Sequence, residues 1–387
     1  MSCSHEITSL HYVGYENDRG GIVSVVRALA TAGRFGCVLG VNESFQGGRT
    51  AALPVARFKS IEGERLGLQT FLRARTVAGE VGRWLAENPG RIFHGHSRAG
   101  LAVALWLAMR GEQRVVASVH CYGRQRWFYR WAARRLGERL YWLSPAMKRY
   151  YGVAGRAPGS KGQGPTSEPD PWAQCIPGCV PDVPAPMRTA RGESDAVRLA
   201  GVGALTPWKQ WNLVLDALAA VPKADRERLH FVHIGANDGS PGAERYAAEL
   251  RRRSRESSLD GRVEWRGQQE SSAALLAGAD CLVLASRNEP FSIAMLEALF
   301  AGVPVIAADS GGAVDVVVPG VNGWLFRSGD AADLARVLCD LTRPGALGSV
   351  RIERDALTRF TGREVALRWA VVYQQVIDAA RGASICK

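Results

Sequence analysis

CLVLASRNEPFSIAMLEALFAGVPVIAADSGGAVDVVVPGVNGWLF occupies residues 281–326. It opens with an unbroken apolar run, 281–285, closed by Ser286, Arg287 and Asn288, which is the pattern of a strand buried on both faces. Glu289, Pro290 and Phe291 follow, and 293–300 is a run of good helix formers. Pro290, just ahead of that run, is expected in the first helical turn, where a missing N–H costs nothing. Gly302 and Pro304 stop the helix, and 303–307 starts a second apolar strand. The unit is therefore strand–loop–helix–strand, the building block of a parallel α/β sheet. Glu289 falls in its loop and Glu297 on its helix. Their spacing of eight residues is a little over two helical turns, so the two carboxylates are expected on similar faces, stacked along the axis.

A helix N-terminus holds phosphate through its free N–H groups and positive dipole end. Phosphate there, with hydroxyl-binding acids at two heights, suits a nucleotide sugar. An E-x7-E pair alone fits equally an ordinary βαβ unit whose acids are solvated. The wider string narrows the choice. Ser286, Glu289, Pro290, Phe291, Glu297, Ala298, Gly302, Pro304, Val305, Ile306, Ala307, Gly311, Gly312, Asn322 and Gly323 together resemble the nucleotide-binding stretch of the retaining glycosyltransferases of family 4, which have the GT-B fold. Ser292 stands where that family has glycine.

Composition sets the frame around this stretch. A chain of 387 residues is long for one core and comfortable for two domains. With 47% hydrophobic and 22% charged residues it reads as globular, and no apolar run reaches the length of a membrane span. The first residues lack a basic and an apolar segment, so no signal peptide is expected. Eight scattered cysteines, several inside apolar runs, suit reduced core thiols of a cytoplasmic protein. Cys175 and Cys179 form a lone C-x3-C without a second pair, too few ligands for a metal site. A net charge of +12 points to an anionic partner.

The rest of the chain supplies further matches. A first strand over 7–13 runs into a loop ending Gly20-Gly21 and then a helix from Ile22, a turn that lets backbone N–H groups approach a phosphate. Strands are expected over 37–41, 91–97 and 115–119, with helices over 70–88 and 101–110. His120 ends the 115–119 strand, where ligands of open α/β sheets bind and where an imidazole can donate a hydrogen bond to a sugar hydroxyl or pass a proton. A buried structural histidine fits the same position. The resemblance implies that Gly20 and Gly21 face the donor diphosphate and that His120 contacts the donor sugar. His96 matches a second recurrent histidine, structural or on the acceptor side.

Residues 122–150 carry eight Arg/Lys against one acid, Glu138, with Trp127, Phe128, Tyr129, Trp131, Tyr141 and Trp142 interleaved. Trp127, Trp131 and Arg134 fall at helical spacing. Such a helix suits an anionic membrane surface. It equally suits a helix with core aromatics and solvated arginines, while nucleic acid is not expected because no recognition module accompanies the charge. Residues 152–172 read as a Gly/Pro/Ser-rich loop. Further on, Gly203, Leu205 and Lys209 match the family's V-G-R-L-x-x-x-K, but Ala204 stands where its diphosphate-gripping arginine should be. An Arg fork on a diphosphate is a strong contact, so Arg287 or Arg266 is a candidate substitute.

The expectation is an α/β protein of GT-B type, two Rossmann-like domains facing across a cleft with the C-terminal helix crossing back. Its parts are 1–180, acceptor-binding; 181–197, a linker; 198–364, nucleotide-sugar-binding; and 365–387, the returning helix. By resemblance His120 and Glu289 are catalytic. Gly20, Gly21, Gly203, Lys209, Arg287, Pro290, Phe291, Ser292, Ile293 and Glu297 bind the donor, with no metal and no other cofactor. The expected reaction is transfer of a sugar, with retention, from a nucleotide-diphosphate sugar to a glycan or lipid-linked hydroxyl acceptor in lipopolysaccharide, capsule or other cell-surface glycan synthesis. The expected location is the cytoplasm, including peripheral attachment to the inner face of the membrane. The alternatives are a non-catalytic nucleotide-sugar-binding protein and a GT-B sugar-nucleotide epimerase.

Overall fold

The computed structural model describes residues 7–16, 20–47, 53–61, 67–153, 170–182, 196–237, 239–256 and 258–385. Residues 17–19 of the first loop, most of the 152–172 loop and nearly all of the expected linker lie outside them. The chain divides into two compact units, Met1–Asp182 with Arg359–Lys387, and Val183–Thr358.

The first unit holds β1 (Thr8–Tyr12), β2 (Gly36–Asn42), β3 (Val55–Phe58), β4 (Arg91–Gly95), β5 (Val115–Val119) and β6 (Leu140–Trp142). They form one parallel sheet in the order β3-β2-β1-β4-β5-β6. The second unit holds β7 (Val197–Val202), β8 (Leu229–Ile234), β9 (Val263–Trp265), β10 (Cys281–Leu284), β11 (Val305–Ala308) and β12 (Gly323–Phe326). Its order is β12-β11-β10-β7-β8-β9, also parallel throughout. Counted within each unit, both sheets have the same doubly wound order, 3-2-1-4-5-6. No sequence repeat betrays this duplication, because a sheet covered on both faces requires only short buried apolar strands, not particular ones.

The central strands are dry: β5, β10 and β11 are buried at every residue. The edge strand β3 is not, with Val55 and Arg57 exposed, and so short an edge leaves no apolar run in the sequence to find. The helix Gly362–Ile385 is assigned to the first unit, where Gly362 N donates to Val180 O at 2.8 Å. Val365, Ala366, Trp369, Val372, Tyr373 and Ile377 are among its buried positions. Among the described residues no helix is long and apolar enough to cross a membrane. Cys37, Cys175, Cys179 and Cys281 are buried thiols, as expected of the core.

Candidate active site

In a doubly wound sheet the loops after the two strands at the point of reversal diverge and leave a crevice at their carboxyl ends. In the second unit those strands are β7 and β10. The loop after β7 carries Gly203, Ala204 and the short 3₁₀ turn Pro207–Lys209; the loop after β10 runs from Ala285 to Ser292. Lys209 Nζ reaches Glu289 Oε2 at 2.5 Å, so the two loops are clasped by an ion pair whose side chains are only 12% and 13% exposed. The Trp208 ring lies 4.4 Å from the same ammonium, and Arg287 N donates to Trp208 O at 3.0 Å. Gly203 sits behind Lys209: a Cβ there would meet Lys209 Cε at 3.4 Å.

Backbone packing fixes Glu289 as firmly as its carboxylate does. Asn288 adopts a left-handed φ of 54° and bonds Ser310 Oγ through its N–H. Gly312 N donates to Glu289 O at 2.8 Å. Gly311 has φ 66°, and a Cβ on it would fall 2.1 Å from Glu289 O; one on Gly312 would fall 2.5 Å from Pro290 O. Only a glycine pair lets this turn lie against the Glu289–Pro290 backbone. Phe291 is buried, its ring against Gly312.

The helix begins later than its sequence suggests. It spans Ile293–Phe300 with Ser292 as N-cap, the Ser292 Oγ accepting from Met295 N at 3.3 Å. Pro290 is therefore outside the first turn. The serine hydroxyl caps the helix from a position where a missing proline N–H is not needed, and this gives the family's glycine-to-serine change a physical role. The expected stacking of Glu289 and Glu297 along one helix fails for the same reason: the three residues after Glu289 are not helical, so helical phase does not relate the two acids. Glu297 is half-buried on the helix and accepts from Ser272 Oγ at 2.6 Å. Burial pushes its carboxyl above the ordinary range, partly offset by the Ser272 hydroxyl. Ser272 and Trp208 carried no motif signal and were not foreseen.

Of the two candidate arginines, Arg266 is tied to Glu264 by bonds of 2.8 and 3.0 Å on an exposed surface, whereas Arg287 is exposed on the loop carrying Glu289. Ala204 is itself exposed, its carbonyl accepting from Trp211 Nε1 at 2.9 Å.

In the first unit Gly20, with φ 114°, ends the first loop and Gly21 opens the helix Gly21–Ala32. The Gly20 carbonyl accepts from Ser24 N at 3.3 Å. A left-handed φ of that size excludes a side chain and leaves the helix without a side-chain cap. His120, half-buried just past β5, bonds through Nε2 to His96 Nδ1 at 3.0 Å. Desolvation pushes its pKa down to about 3, so it is a neutral imidazole.

Residues 191–344, which include every second-unit residue named above, match the family Glycosyl transferases group 1. Over that segment the second unit is similar to the group 1 glycosyl transferases. The chain is 30% identical over 209 residues to D-inositol 3-phosphate glycosyltransferase of Saccharomonospora viridis, covering 52% of this chain and 48% of that one. It is 25% identical over 161 residues to the lipopolysaccharide core biosynthesis glycosyltransferase LpsE of Rhizobium meliloti, covering 42% and 44%. The chain thus spans less than half the length of the curated relatives it matches. Among solved structures, Anabaena Alr3699/HepE in complex with UDP and glucose superposes with a TM-score of 0.70 at 19% identity, over 95% of this chain and all of that one. The fold is GT-B, and the segment similar to glycosyl transferases lies in its second Rossmann-like unit.

Proposed function

We propose that this chain is a retaining, family 4 glycosyltransferase that moves a sugar from a nucleotide-diphosphate sugar to a hydroxyl acceptor. The observation carrying the reading is the Lys209–Glu289 clasp at the reversal point of the second unit, within the segment similar to glycosyl transferases. The ammonium of Lys209 meets the charge that builds on the leaving diphosphate, in surroundings dry enough for that contact to count. Glu289 holds Lys209 in place and offers its second oxygen to a sugar hydroxyl. Arg287, Pro290, Phe291, Ser292 and Ile293 frame the phosphate end at the helix N-terminus, Gly203 turns the chain toward Lys209 with a positive φ of 148°, and Glu297 takes the ribose. Gly20, Gly21 and His120 are assigned to the donor from the first unit by the family resemblance. No cofactor or metal belongs to the proposal.

For the acceptor we favour a lipid-linked or cell-surface glycan made at an anionic membrane face. The helix Arg126–Leu136 buries Phe128, Tyr129, Ala132 and Leu136 and exposes Trp127 at 69% and Trp131 at 36%. Trp131 lies edge-on to Phe71, beside which Leu68 and Leu72 are 76% and 55% exposed. Arg124, Arg134 and Arg135 stand exposed around this apolar patch, a combination that suits lipid headgroups. The relative LpsE, named for lipopolysaccharide core biosynthesis, points the same way.

Ala204 favours a second reading, a protein that binds nucleotide sugars without turning them over; an epimerase is a third. A thermal-shift screen of nucleotide-diphosphate sugars, followed by product analysis, separates them. A donor at 100 times its Kd should stabilise the fold by about 2.7 kcal/mol, and transfer should then release nucleoside diphosphate with a glycosylated acceptor. Stabilisation without turnover supports the binding protein, and released diphosphate with an unchanged acceptor supports the epimerase. A chain that no donor stabilises refutes all three.

A further inference from the structure

The first unit contains a row of hydrogen-bonded side chains that sugar transfer as proposed leaves unused. Ser9 and His11 lie two residues apart on β1 and so share a face, and Ser9 Oγ is 2.8 Å from His11 Nε2. His11 Nδ1 is 2.8 Å from His96 Nε2, and His96 Nδ1 is 3.0 Å from His120 Nε2. The register explains the alignment. His11 pairs with His94 on β4, so His96 stands one strand over and two residues up; Gly95 pairs with Ala117 on β5, so His120 stands one more strand over and again two residues up. The row climbs diagonally from the middle of the sheet to its carboxyl edge. Ser9, His11 and His96 are buried and His120 is half-buried.

The row also has a direction. Ser9 Oγ also lies 3.1 Å from Gly36 O, which can only accept, and Cys37 Sγ lies 3.8 Å from the same His11 Nε2; where the hydroxyl gives its one proton to Gly36 O, it accepts from His11. His11 must then carry its hydrogen on Nε2 and present Nδ1 as acceptor, because a neutral imidazole holds one N–H. His96 is bound by the same condition, and His120 after it. Burial keeps all three imidazoles neutral, each pKa lying well below the ordinary value.

His11, His94 and His96 also offer ring nitrogens within 4.8 Å of one another, as a metal site would. Yet both nitrogens of His94 are taken, by Tyr373 OH at 2.6 Å and Ser118 Oγ at 2.8 Å, and its ring stacks on His96 with centroids 3.9 Å apart. The 2.8 Å between His11 and His96 suits N–H···N, whereas two nitrogens on one tetrahedral zinc lie about 3.4 Å apart. The cluster is a hydrogen-bond network.

We infer that Ser9, acting through His11 and His96, fixes His120 as the Nε2–H tautomer with Nδ1 as its acceptor, making these three positioning residues for His120. No described group bonds His120 Nδ1. If His120 meets the donor sugar, which rests on the function proposed above, it receives a hydrogen from a sugar hydroxyl and does not give one. A donor with that hydroxyl replaced by fluorine or a methyl ether should lose the contact.

The test is long-range ¹H–¹⁵N NMR of the full chain labelled in histidine, at pH 7, with resonances assigned by single His→Gln variants. The expected spectrum shows His11, His96 and His120 neutral with hydrogen on Nε2. Hydrogen on Nδ1 of His120, a mixture of tautomers, a charged ring, or one bound metal ion per chain overturns the inference. In Ser9→Ala His120 should become a tautomer mixture and kcat/KM should fall on the order of tenfold, the worth of one buried hydrogen bond, while Ser9→Thr keeps the wild-type spectrum. A Ser9→Ala spectrum unchanged at His120 also overturns it. Because the tautomer is read without substrate, the expected spectrum from a chain that transfers no sugar would sink the proposed function and leave the row standing.

Discussion

Lys209 Nζ and Glu289 Oε2 meet at 2.5 Å although eighty residues separate them in the chain. Their strands, β7 and β10, are neighbours only because the sheet reverses direction between them. Both side chains are nearly out of solvent, so each charge depends on the other for much of the solvation that water no longer supplies. Anything that takes the ammonium away, such as a diphosphate, must leave Glu289 a new partner, and a sugar hydroxyl is one.

Removing both members should therefore cost less than the two single removals added together. Glu289→Ala and Lys209→Ala are each expected to lower stability by about 1–3 kcal/mol, and the double variant by less than their sum. Each should reduce kcat by at least a hundredfold. Urea denaturation and initial rates check both effects; additive losses with normal turnover would detach the pair from function.

Gly311→Ala should inactivate the protein through the backbone. Its Cβ would press on Glu289 O at 2.1 Å and its φ of 66° is strained for alanine. Gly320, with φ 79° and nothing within 4 Å, is the matched control and should cost only about 1 kcal/mol with activity kept. Equal behaviour of the two variants in a transfer assay would mean that the turn does not position Glu289.

Restoring an arginine at Ala204, an exposed position, should lower the donor KM about tenfold, the gain of one charge-assisted contact. Donor titrations of Ala204→Arg against wild type give the answer. An unchanged KM would show that another cation already serves the diphosphate.

Acid should destabilise the fold well before the carboxylates account for it. Desolvation holds His11 and His233 down to about 3 and His94 and His96 well below the ordinary 6.5. Their folded pKa values are depressed, so the unfolded chain binds more protons below pH 6.5 and stability, complete above that pH, drains as it falls toward 3. Each buried ring contributes about 1.4 kcal/mol per pH unit in that window. Glu297, whose pKa is raised by burial, acts in the opposite sense. Equal urea midpoints at pH 7 and pH 5 would mean that these rings are not held neutral.

The exposed face of Arg126–Leu136 should bind vesicles containing anionic lipid more than neutral ones, with about 1 kcal/mol from each arginine near the surface. Trp127→Ser should weaken co-sedimentation without changing the melting temperature, since its ring is 69% exposed. Binding that ignores lipid charge would remove the membrane from the account.

Much of this was readable beforehand because burial writes itself into local pattern. The strand, loop and helix of 281–300 and the strand at 115–119 stand out as apolar runs with glycine and proline punctuation. Where the pattern failed, the deciding contact lay elsewhere in the chain or was finer than periodicity. Val55–Phe58 is an exposed edge, so it carries no run. Pro290 has the pattern of a helix start, but the helix begins after Ser292, whose hydroxyl accepts from Met295 N. Ser272 reaches Glu297 across twenty-five residues, a pairing to which periodicity is blind.

By itself the sequence determined two parallel α/β units and the loop that carries Glu289, since apolar runs and their breaks record which backbone must leave water. Only the tertiary structure decided that Lys209 closes on Glu289, that the glycine pair braces it, and that Ser9 speaks to His120 through two imidazoles. Those meetings follow from strand order and register, which are properties of the assembled sheets and of no single segment.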